Sequence, residues 1–412
     1  MEYIFDFHIH SKFARATSKN MVLPELDIWA NKKGIKVLGT GDFTHPVWFS
    51  HLKENLQEAE QGLYKVKNSN TGVLFMLTSE VSCIYSQGGK VRRVHLLIFA
   101  PSFEVAEKIN KELSKIGDLA SDGRPILGIS AKNLAKIVFN ASKDCLVVCA
   151  HAWTPWFSVF GSKSGFDSLQ ECFEEMTPYI YAIETGLSSD PEMNWRIPEL
   201  DNVAIISSSD AHSPQKIGRE ATVFNLEKVD YYEIINSIKQ RKNIAYTIEF
   251  FPEEGKYHYD GHRLCGIKLT PEQTKKFNGI CPKCKKPLTV GVMYRVEELA
   301  KRPQGFKPEG APPFKKIIPL QEIIADVMNL PTTSKKVLQE YENLIKNVGP
   351  EFYILLKSDI KDLQKVTMPE IAKGIDMVRE GKVFIDPGYD GVFGKIKIEL
   401  PKEKEVSQKS LF

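Results

Sequence analysis

The sequence has few cysteines and no long apolar run, and both features limit the classes of protein to which it can belong. No uninterrupted apolar stretch reaches the roughly 18 residues that a membrane-spanning helix requires. The N-terminus has no basic-then-apolar leader and begins directly with a strand-like run, which argues against secretion. Seven cysteines cannot all pair, and we expect reduced thiols inside the cell because four lie in or near apolar segments: Cys83, Cys145, Cys149 and Cys172.

The sequence also has no large excess of basic over acidic residues. A net charge of +3 is only mildly basic and by itself gives weak support for a nucleic-acid partner. The 42% apolar and 26% charged residues are typical of a globular protein, and 412 residues suffice for two or three domains. The chemistry must therefore be sought in local patterns rather than in bulk composition.

Histidine is scarce, with nine in the chain, yet five of these residues lie at or beside the end of an apolar run. Two of the runs end in a pair of potential metal ligands, His8 with His10 and Asp210 with His212. In a strand, residues i and i+2 point to the same face, so each pair offers two neighbouring ligands. α/β barrels carry their chemistry at the C-terminal ends of their strands, which is where both pairs are expected.

Four further positions lie beside predicted strands in the same way: Asp42, Glu80, His95 and His151. A single histidine at a strand end is more often a structural residue than a ligand. Eight His, Asp and Glu positions in one context nevertheless favour a common site. A mixture of imidazole and carboxylate ligands suits a multinuclear zinc, manganese or iron site better than magnesium or calcium alone.

The pattern of strands and helices divides the chain into four parts. Residues 1–250 alternate between strand-like and helix-like segments, which predicts an α/β barrel or an open α/β layer. Within this part, Pro24 and Gly34 mark the start and the end of one predicted helix. Residues 301–400 begin with a Pro/Gly-rich linker, continue with helical periodicity and finish with a short hairpin. Residues 401–412 form a charged tail that we expect to be flexible.

Residues 251–300 break the α/β pattern and are rich in Gly, His, Cys and Lys. They contain two short-spaced pairs, His262 with Cys265 and Cys281 with Cys284. Such spacing lets tight turns hold four ligands around one tetrahedral structural zinc. Two alternatives stay open: His258 could replace His262, and a lone C-x-x-C could be redox-active, although no thioredoxin-like βαβ context surrounds it.

The ordered set of ligand candidates resembles that of the polymerase and histidinol phosphatase (PHP) domain, and the matching residues are His8, His10, Asp42, Glu80, His95, His151, Asp210 and His212. The resemblance implies a distorted seven-stranded β/α barrel with a trinuclear metal site that hydrolyses phosphate esters. There are two departures. The stretch 13–16 lacks a ligand that the family often has there, and Phe43 stands where many members have histidine. One metal is therefore expected to have fewer protein ligands.

Three longer strings narrow the resemblance to the endonuclease Q family: 151–167, 208–219 and 257–263. With the order of the domains, this resemblance covers essentially the whole chain. It implies a DNA repair endonuclease of a kind found mainly in archaea, which cuts 5′ to uracil, hypoxanthine, xanthine and abasic sites. We expect a cytoplasmic monomer that acts on damaged DNA and uses two or three divalent metals, with zinc, manganese, magnesium or iron as the candidates.

The ligand candidates can be divided among three ions. The expected assignment is a metal pair bridged by Glu80 and held mainly by His8, His10 and Asp210, with His95 and His151 completing its second metal and Asp42 and His212 serving a third.

Residues that follow two of the ligands in sequence are candidates for DNA contacts. A damaged base must leave the duplex before its edge can be read, and aromatic rings beside the scissile bond could stack on it or act as a wedge. The candidates are Trp153, Trp156 and Phe157 for stacking and Lys163, Ser164 and Arg219 for phosphates. The alternatives are aromatic rings that pack the mouth of the barrel and charges that are simply solvated.

The last residues of the chain suggest a protein partner. Gln408, Leu411 and Phe412 resemble the start of the peptide by which DNA repair enzymes bind the sliding clamp. The match is incomplete, because the aromatic residue expected further along is absent. The alternative is a tail that merely ends in two apolar residues.

Two rival functions stay open from the sequence. One is a small-molecule phosphomonoesterase of the histidinol phosphatase type, which predicts a compact chain without residues 251–412. The other is a polymerase-associated 3′-5′ exonuclease, which would degrade undamaged single strands. Internal nicking at one uracil would exclude both.

Overall fold

The computed structural model describes residues 1–400, which fall into two compact units. The first unit comprises Met1–Ile317 together with Asp386–Lys395. The second comprises Ile318–Ile385 and residues 396–400. The helical unit therefore begins later than the expected boundary at 301, because the intervening segment pairs with the main sheet of the first unit.

The described chain contains seventeen β-strands. In chain order they are β1 (Glu2–Asp6), β2 (Val37–Gly39), β3 (Leu56–Glu60), β4 (Leu63–Val66), β5 (Leu74–Gln87), β6 (Lys90–Ala100), β7 (Ile126–Leu127), β8 (Leu146–Cys149), β9 (Ala182–Glu184), β10 (Ala204–Ile206), β11 (Ala221–Asn225), β12 (Ile244–Glu249), β13 (Asp260–His262), β14 (Ile267–Leu269), β15 (Phe314–Lys316), β16 (Phe384–Asp386) and β17 (Lys395–Lys397).

Fourteen α-helices accompany these strands in residues 1–400. They are α1 (Leu23–Lys33), α2 (Pro46–Asn55), α3 (Phe103–Leu113), α4 (Ala131–Ala141), α5 (Leu169–Phe173), α6 (Pro191–Trp195), α7 (Tyr231–Gln240), α8 (Pro271–Lys276), α9 (Val292–Leu299), α10 (Leu320–Met328), α11 (Lys335–Asn347), α12 (Glu351–Leu356), α13 (Ile360–Leu363) and α14 (Pro369–Arg379). Short 3₁₀ turns cover Glu174–Tyr179, Pro198–Asn202, Pro214–Lys216, Pro252–Glu254 and Arg263–Cys265.

A single mixed sheet forms the centre of the first unit. Its strand path is β10-β9-β8-β6-β5-β2-β1-β11-β12-β15, and β3, β4 and β7 pair beside this path. The α/β class expected from the sequence is confirmed. The sheet has thirteen strands rather than the seven expected, because antiparallel pairs such as β3–β4 and β11–β12 add to the strands that carry the site.

The sheet curls so that the segment after β10 returns to the end of β1. Ile9 and Ala211 form an isolated parallel bridge across this closure. The buried carboxylate of Asp6 accepts hydrogen bonds from the backbone N–H groups of Ser209 and Gly218, both at 2.9 Å. The side chain of Asp6 thus takes the place of some backbone hydrogen bonds between these segments. The segments that carry the pairs His8/His10 and Asp210/His212 are thereby brought together at one end of the curled sheet.

Helix α1 shows how local sequence sets these elements. It has a proline in its first turn and ends at Gly34, which has φ 85° and donates its N–H to the carbonyls of Ala30 and Asn31. That conformation favours glycine, which has no Cβ to clash. The predicted start at Pro24 and stop at Gly34 are confirmed.

Apolar side chains from both halves of the sheet meet in one core. Its rings include Phe5, Phe7, Phe99 and Phe224, and Phe5 and Phe224 stack with centroids 5.1 Å apart. Burying a large apolar side chain stabilises a fold by about 1.5–3 kcal/mol. The core therefore holds the strand ends rigidly enough to support a site at their margin.

The second unit is a small helical bundle with its own core. Leu320, Ile323 and Ile324 are buried on α10, as their periodicity predicts. Glu351 is buried and joins the helices: its Oε1 accepts the N–H of Leu320 at 3.0 Å, and its Oε2 accepts the hydroxyl of Tyr341 at 2.8 Å.

None of the helices in residues 1–400 is long and apolar enough to cross a membrane. The clamp-binding peptide predicted at Gln408, Leu411 and Phe412 lies outside the described residues.

Candidate metal centre

The predicted ligands converge, but two of them come from the middle of strands rather than from strand ends. Glu80 lies within the fourteen-residue strand β5, and His95 lies within β6. These strands pair in antiparallel register, with Glu80 opposite Leu97 and His95 opposite Ser82. A long two-stranded hairpin therefore carries two ligands into the space enclosed by the curled sheet.

The first ligand cluster comprises His8, His10, Glu80 and Asp210. The Nε2 atom of His10 lies 3.2 Å from Glu80 Oε2 and 3.2 Å from Asp210 Oδ1, and Nε2 of His8 lies 3.5 Å from the same Glu80 oxygen. Ligands held at about 2.0–2.1 Å from a tetrahedral zinc are roughly 3.3 Å apart, so these distances fit one ion.

The atoms that face this cluster support the fit. Within the described chain, Nε2 of His8, Nε2 of His10 and Oδ1 of Asp210 are buried and have no hydrogen-bond partner. Burial lowers the pKa of His8, but Glu184 and Glu80 outweigh it and raise that pKa well above its ordinary value. A divalent cation would satisfy all three atoms, and its binding would release the protons that the imidazoles hold.

The second ligand cluster comprises Glu80, His95 and His151. Glu80 Oε1 lies 2.7 Å from Nδ1 of His95 and 3.0 Å from Nε2 of His151, and the two imidazole nitrogens are 3.2 Å apart. Glu80 thus offers one oxygen to each cluster. If each cluster held an ion, Glu80 would bridge the two.

Asp42 and His212 lie outside both clusters. Asp42 Oδ1 is 2.9 Å from Nδ1 of His10, and its Oδ2 accepts the N–H and the hydroxyl of Ser11, both at 2.6 Å. One oxygen of Asp42 therefore holds His10 and the other holds Ser11, and the expected role of Asp42 on a third metal stays a prediction. The ring of His212 lies 4.6 Å from that of His10, and its Nδ1 lies 2.9 Å from the carbonyl of Asp210.

Two residues of the site were not among the sequence candidates. Glu184 ends β9, and its Oε2 lies 2.8 Å from Nδ1 of His8 and accepts the N–H of His151 at 3.3 Å. Arg124 donates from Nη1 to Glu80 Oε2 at 3.1 Å, and its side chain is 24% exposed. The carboxylate at a strand end could have signalled Glu184, whereas Arg124 lies in a loop without any such signal.

Three site residues have left-handed backbone conformations that are rare for residues with a Cβ. Asp42, His151 and Asp210 have φ angles of 50°, 30° and 47°. The turn at His151 also depends on Gly186, where a Cβ atom would lie 2.5 Å from the Cβ of His151. Local backbone strain of this kind is typical of functional sites held by a rigid surrounding structure.

A cavity of about 390 Å³ opens beside the second cluster. His95, His151 and Asp210 form one wall, and aromatic and apolar residues form most of the remainder, including Trp156, Phe157, Leu187, Pro252, Tyr257, Val292 and Phe393. Ring contacts order this wall: Phe157 lies 4.8 Å from His95, and Trp156 lies edge-on to Tyr257 at 5.7 Å. The cavity places an apolar surface directly against two metal-ligand candidates.

The candidate DNA-contact residues are distributed unequally. Trp153 is 1% exposed and packs on Phe160 at 4.9 Å, so it belongs to the core and not to a base-stacking surface, which corrects its expected role. Trp156 is 38% exposed at the cavity. The hydroxyl of Ser164 accepts the N–H of Phe157 and donates to the carbonyl of Arg93, so Ser164 orders this loop.

The two predicted phosphate-binding cations differ in their surroundings. Lys163 is exposed, as a phosphate contact requires. Arg219 donates from Nε to the carbonyl of Ser209 at 2.8 Å and from Nη2 to the carbonyl of Asp210 at 3.2 Å. It therefore supports the strained turn that carries Asp210.

A separate group of four ligands lies in the cysteine-rich segment. Ligand atoms of His262, Cys265, Cys281 and Cys284 all lie within 4.8 Å of one another, and Cys284 Sγ is 3.6 Å from Nδ1 of His262. Thiolate ligands at about 2.3 Å from a tetrahedral zinc are roughly 3.8 Å apart, which fits this spacing. His258, the alternative to His262, is not in this group of four and lines the cavity beside the second ligand cluster instead.

Comparison with protein-family models gives two short matches. The MJ0043 C-terminal domain matches residues 319–382, and the PHP-associated model matches residues 199–243. A Bacillus subtilis protein, YqxK, is 29% identical over 411 residues, which cover 95% of this chain and 98% of that protein. A Methanocaldococcus jannaschii protein, MJ0043, is 37% identical over 263 residues, or 61% of this chain, but the match spans only 32% of its length.

Two solved structures are similar over nearly the whole chain. The lesion-specific endonuclease PfuEndoQ from Pyrococcus furiosus is 31% identical with a TM-score of 0.86, and the match covers 97% of this chain and 96% of that one. Endonuclease Q in complex with a 27-mer duplex substrate with an abasic lesion at its active site is 32% identical, with a TM-score of 0.84 and 97% coverage of both chains. At this identity and coverage, the chain belongs to the endonuclease Q family.

Proposed function

We propose that this protein is a DNA repair endonuclease that hydrolyses the phosphodiester 5′ to uracil, hypoxanthine, xanthine and abasic sites. The observation that carries this proposal is the position of the apolar cavity, which shares His95 and His151 with the second ligand cluster. A nucleoside bound in that cavity would present its own backbone phosphate to the metal centre.

The cavity has the size and the lining that suit an extruded base. A base inside a duplex must be flipped out before its edge can be read, and it is then held by stacking and by a few hydrogen bonds. The rings of Trp156, Phe157 and Tyr257 supply apolar surface, and about 390 Å³ is ample for one nucleoside.

His258 is the polar group that we assign to reading the base. It is 5% exposed, it lines the cavity, and its Nδ1 has no hydrogen-bond partner within residues 1–400. Burial lowers the pKa of His258, which keeps the imidazole neutral at physiological pH. The other ring nitrogen of His258 donates to the backbone carbonyl of Pro252, so the unpartnered Nδ1 of the neutral imidazole is an acceptor. Deamination of cytosine or adenine converts a ring nitrogen of the pairing edge into an N–H, from which Nδ1 can accept, whereas the parent base has no such N–H.

Two metals would be held by the two clusters that share Glu80. Bound divalent ions would lower the pKa of a water molecule, neutralise the phosphate and stabilise the leaving oxygen. Glu184 and Asp42 hold His8 and His10 in the orientation that this binding requires. His212, beside His10, is the residue that we assign to a third ion.

Arg124 adds a fixed positive charge to this site. One of its N–H groups bonds to Glu80, and the partly exposed guanidinium has further donors that can reach a non-bridging phosphate oxygen. We assign the exposed Lys163 to the backbone of the same strand, and the cysteine-rich segment to a structural zinc that extends the DNA-binding face. A sliding clamp bound through Gln408, Leu411 and Phe412 would bring this monomer to DNA in the cytoplasm.

The decisive experiment uses an end-labelled oligonucleotide that contains one dU or one dI. The full chain is incubated with it in the presence of Mn²⁺, Zn²⁺ or Mg²⁺, and Glu80→Gln serves as the inactive control. A single internal nick on the 5′ side of the lesion supports the proposal. Ladder-like loss of nucleotides from the 3′ end would support an exonuclease instead, and hydrolysis of an aryl phosphate without nicking would support a small-molecule phosphatase.

A further inference from the structure

One wall of the cavity comes from the segment Asp386–Lys395, which follows the helical unit in sequence but belongs to the first unit. Backbone hydrogen bonds of 2.8–2.9 Å attach this segment to residues 253–259: Gly388 N–H to Glu253 O, Gly391 N–H to Lys256 O, Gly394 N–H to Glu254 O and Tyr259 N–H to Gly388 O. The segment is therefore held to the rim of the cavity by its main chain and not by adaptable side chains.

Two glycines make this attachment close. A Cβ atom at Gly394 would lie 2.2 Å from the carbonyl oxygen of Glu253, and one at Gly388 would lie 2.4 Å from the carbonyl oxygen of Gly255. Only glycine permits such an approach. The side chains between these glycines are consequently presented from a rigid platform.

Phe393 is the large apolar side chain that this platform presents. It is 66% exposed and lines the mouth of the cavity. The ammonium of Lys256 lies 5.8 Å from its ring, which places a cation beside an exposed aromatic surface. Covering this exposed aromatic surface with a partner would be favourable, because it removes apolar area from water.

We propose that Phe393 is a positioning residue that enters the base stack of duplex DNA at the place that the extruded nucleotide leaves. This inference rests on the proposed function, because it needs the damaged base in the cavity. Extrusion leaves a gap that costs a few kcal/mol in lost stacking, and an apolar ring at the rim is placed to fill it. Lys256 then lies where the backbone phosphates pass.

Trp156 also lines the cavity, but its ring has a different environment. It is 38% exposed, and its ring is held edge-on to Tyr257. It therefore stays with the wall that contacts the extruded nucleotide. The more exposed Phe393 is the ring that can leave the wall surface and contact the remaining duplex.

The test compares Phe393→Ala with the wild-type full chain on three substrates that carry the same dU: a single strand, a duplex with dG opposite and a duplex with dA opposite. A wedge acts only when there is a stack to enter. We therefore expect cleavage of the dU:dA duplex to fall at least about tenfold, equivalent to ~1.4 kcal/mol, with single-strand cleavage within about twofold of wild type. The dG-opposed duplex, which is easier to open, is expected to lie between them.

A fluorescence signal reports the wedge directly. 2-Aminopurine placed opposite an abasic site should change in fluorescence on binding the wild-type protein, and the change should be reduced with Phe393→Ala and restored with Phe393→Trp. Val392→Ala is the matched control, because Val392 is the adjacent exposed residue and does not line the cavity.

Two outcomes overturn the inference: an equal loss on single-strand and duplex substrates, or no loss on either. Both leave the proposed function intact as long as the wild-type chain nicks at dU. If the wild-type chain does not nick any of the three substrates, the proposed function itself fails.

Discussion

The carboxylate of Glu184 lies 2.8 Å from Nδ1 of His8, with the imidazole Nε2 facing the first ligand cluster. A carboxylate behind a ligating histidine fixes the ring orientation and the tautomer, and removing it typically costs about 10–100-fold in metal affinity or activity. Glu184 is thereby tied to the metal centre without being one of the clustered ligands.

We expect Glu184→Gln to lower the metal affinity of the centre by about 10–100-fold while leaving the fold intact. Competition with a chelator, read by elemental analysis, measures the affinity, and excess metal should recover part of the nicking rate. Glu175→Gln, at an exposed carboxylate that pairs with Lys136, is the matched control. An unchanged chelator curve would remove Glu184 from the site.

Loss of the shared carboxylate should have a larger effect than loss of a supporting one. Glu80→Ala removes an oxygen from each cluster, so nicking should fall by more than the roughly 100-fold that a supporting residue explains. His8→Ala and Asp210→Ala should behave similarly, and circular dichroism should show a folded chain in each case. Near-wild-type nicking in any two of these variants, at matched metal occupancy, contradicts the assignment.

Arg124 offers a test that separates charge from geometry. A hydrogen bond to a charged group contributes about 1.5–3 kcal/mol, so Arg124→Gln should lower kcat/KM by roughly ten- to a hundredfold. Arg124→Lys should recover part of this loss, because it restores the positive charge but not the planar guanidinium with its several N–H donors. Metal content, measured in parallel, should stay unchanged; loss of metal from the glutamine variant would assign Arg124 to holding Glu80 instead.

The cysteine-rich segment should lose its metal when the ligand pair Cys281 and Cys284 is replaced. The double variant Cys281→Ser, Cys284→Ser is expected to contain one zinc fewer per chain and to unfold at a lower temperature, because metal binding and folding are coupled in such segments. Lys283→Ala, between the two cysteines and exposed, is the control. If elemental analysis finds the same zinc content in the double variant, the site is not built from these residues.

A buried carboxyl pair makes stability depend on pH. Burial is the main cause that raises the pKa of Glu249 to about 8, and burial with the nearby Glu249 raises that of Glu220 well above its ordinary value. The folded protein thus holds a proton that the unfolded chain releases near about pH 4.3. Stability from Glu249 is fully present below that pH and is lost as the pH rises toward 8.

We therefore expect Tm to fall more steeply for the wild type than for Glu249→Gln between about pH 5.5 and 8.5, because the amide keeps the neutral form throughout. Differential scanning calorimetry in saturating metal measures this. Parallel Tm profiles for the two proteins would show that the carboxyl of Glu249 does not titrate in this range.

Much of the site could be predicted from local pattern. The pair at 8–10 lies just after β1, and its i, i+2 spacing places both imidazoles in the first ligand cluster. Of the pair at 210–212, which lies beyond β10, only Asp210 joins that cluster. Pro24 and Gly34 likewise predict the limits of α1 without information from tertiary contacts.

Other features depend on tertiary contacts that no local pattern contains. β5 runs on to Gln87, so Glu80 and His95 reach the centre through a long hairpin and not through strand ends. The aromatic ring of Trp153 suggests base stacking, but its Nε1 donates to Oδ1 of the buried Asn194 at 2.7 Å, which holds the ring in the core. The contacts of the two Asp42 oxygens with His10 and Ser11 likewise could not be predicted from local pattern.

The helical unit is inserted into the first unit rather than appended to it, since the segment Asp386–Lys395 returns to the cavity rim. Chains are synthesised from the N-terminus, so a nascent chain acquires every ligand of the two clusters nearly two hundred residues before the cavity wall is complete. On the proposed function, a partly made chain would have its candidate metal ligands before it has the rim of the cavity and the ring of Phe393. The segment that carries Phe393 would therefore be the last part of the proposed substrate-binding surface to be added.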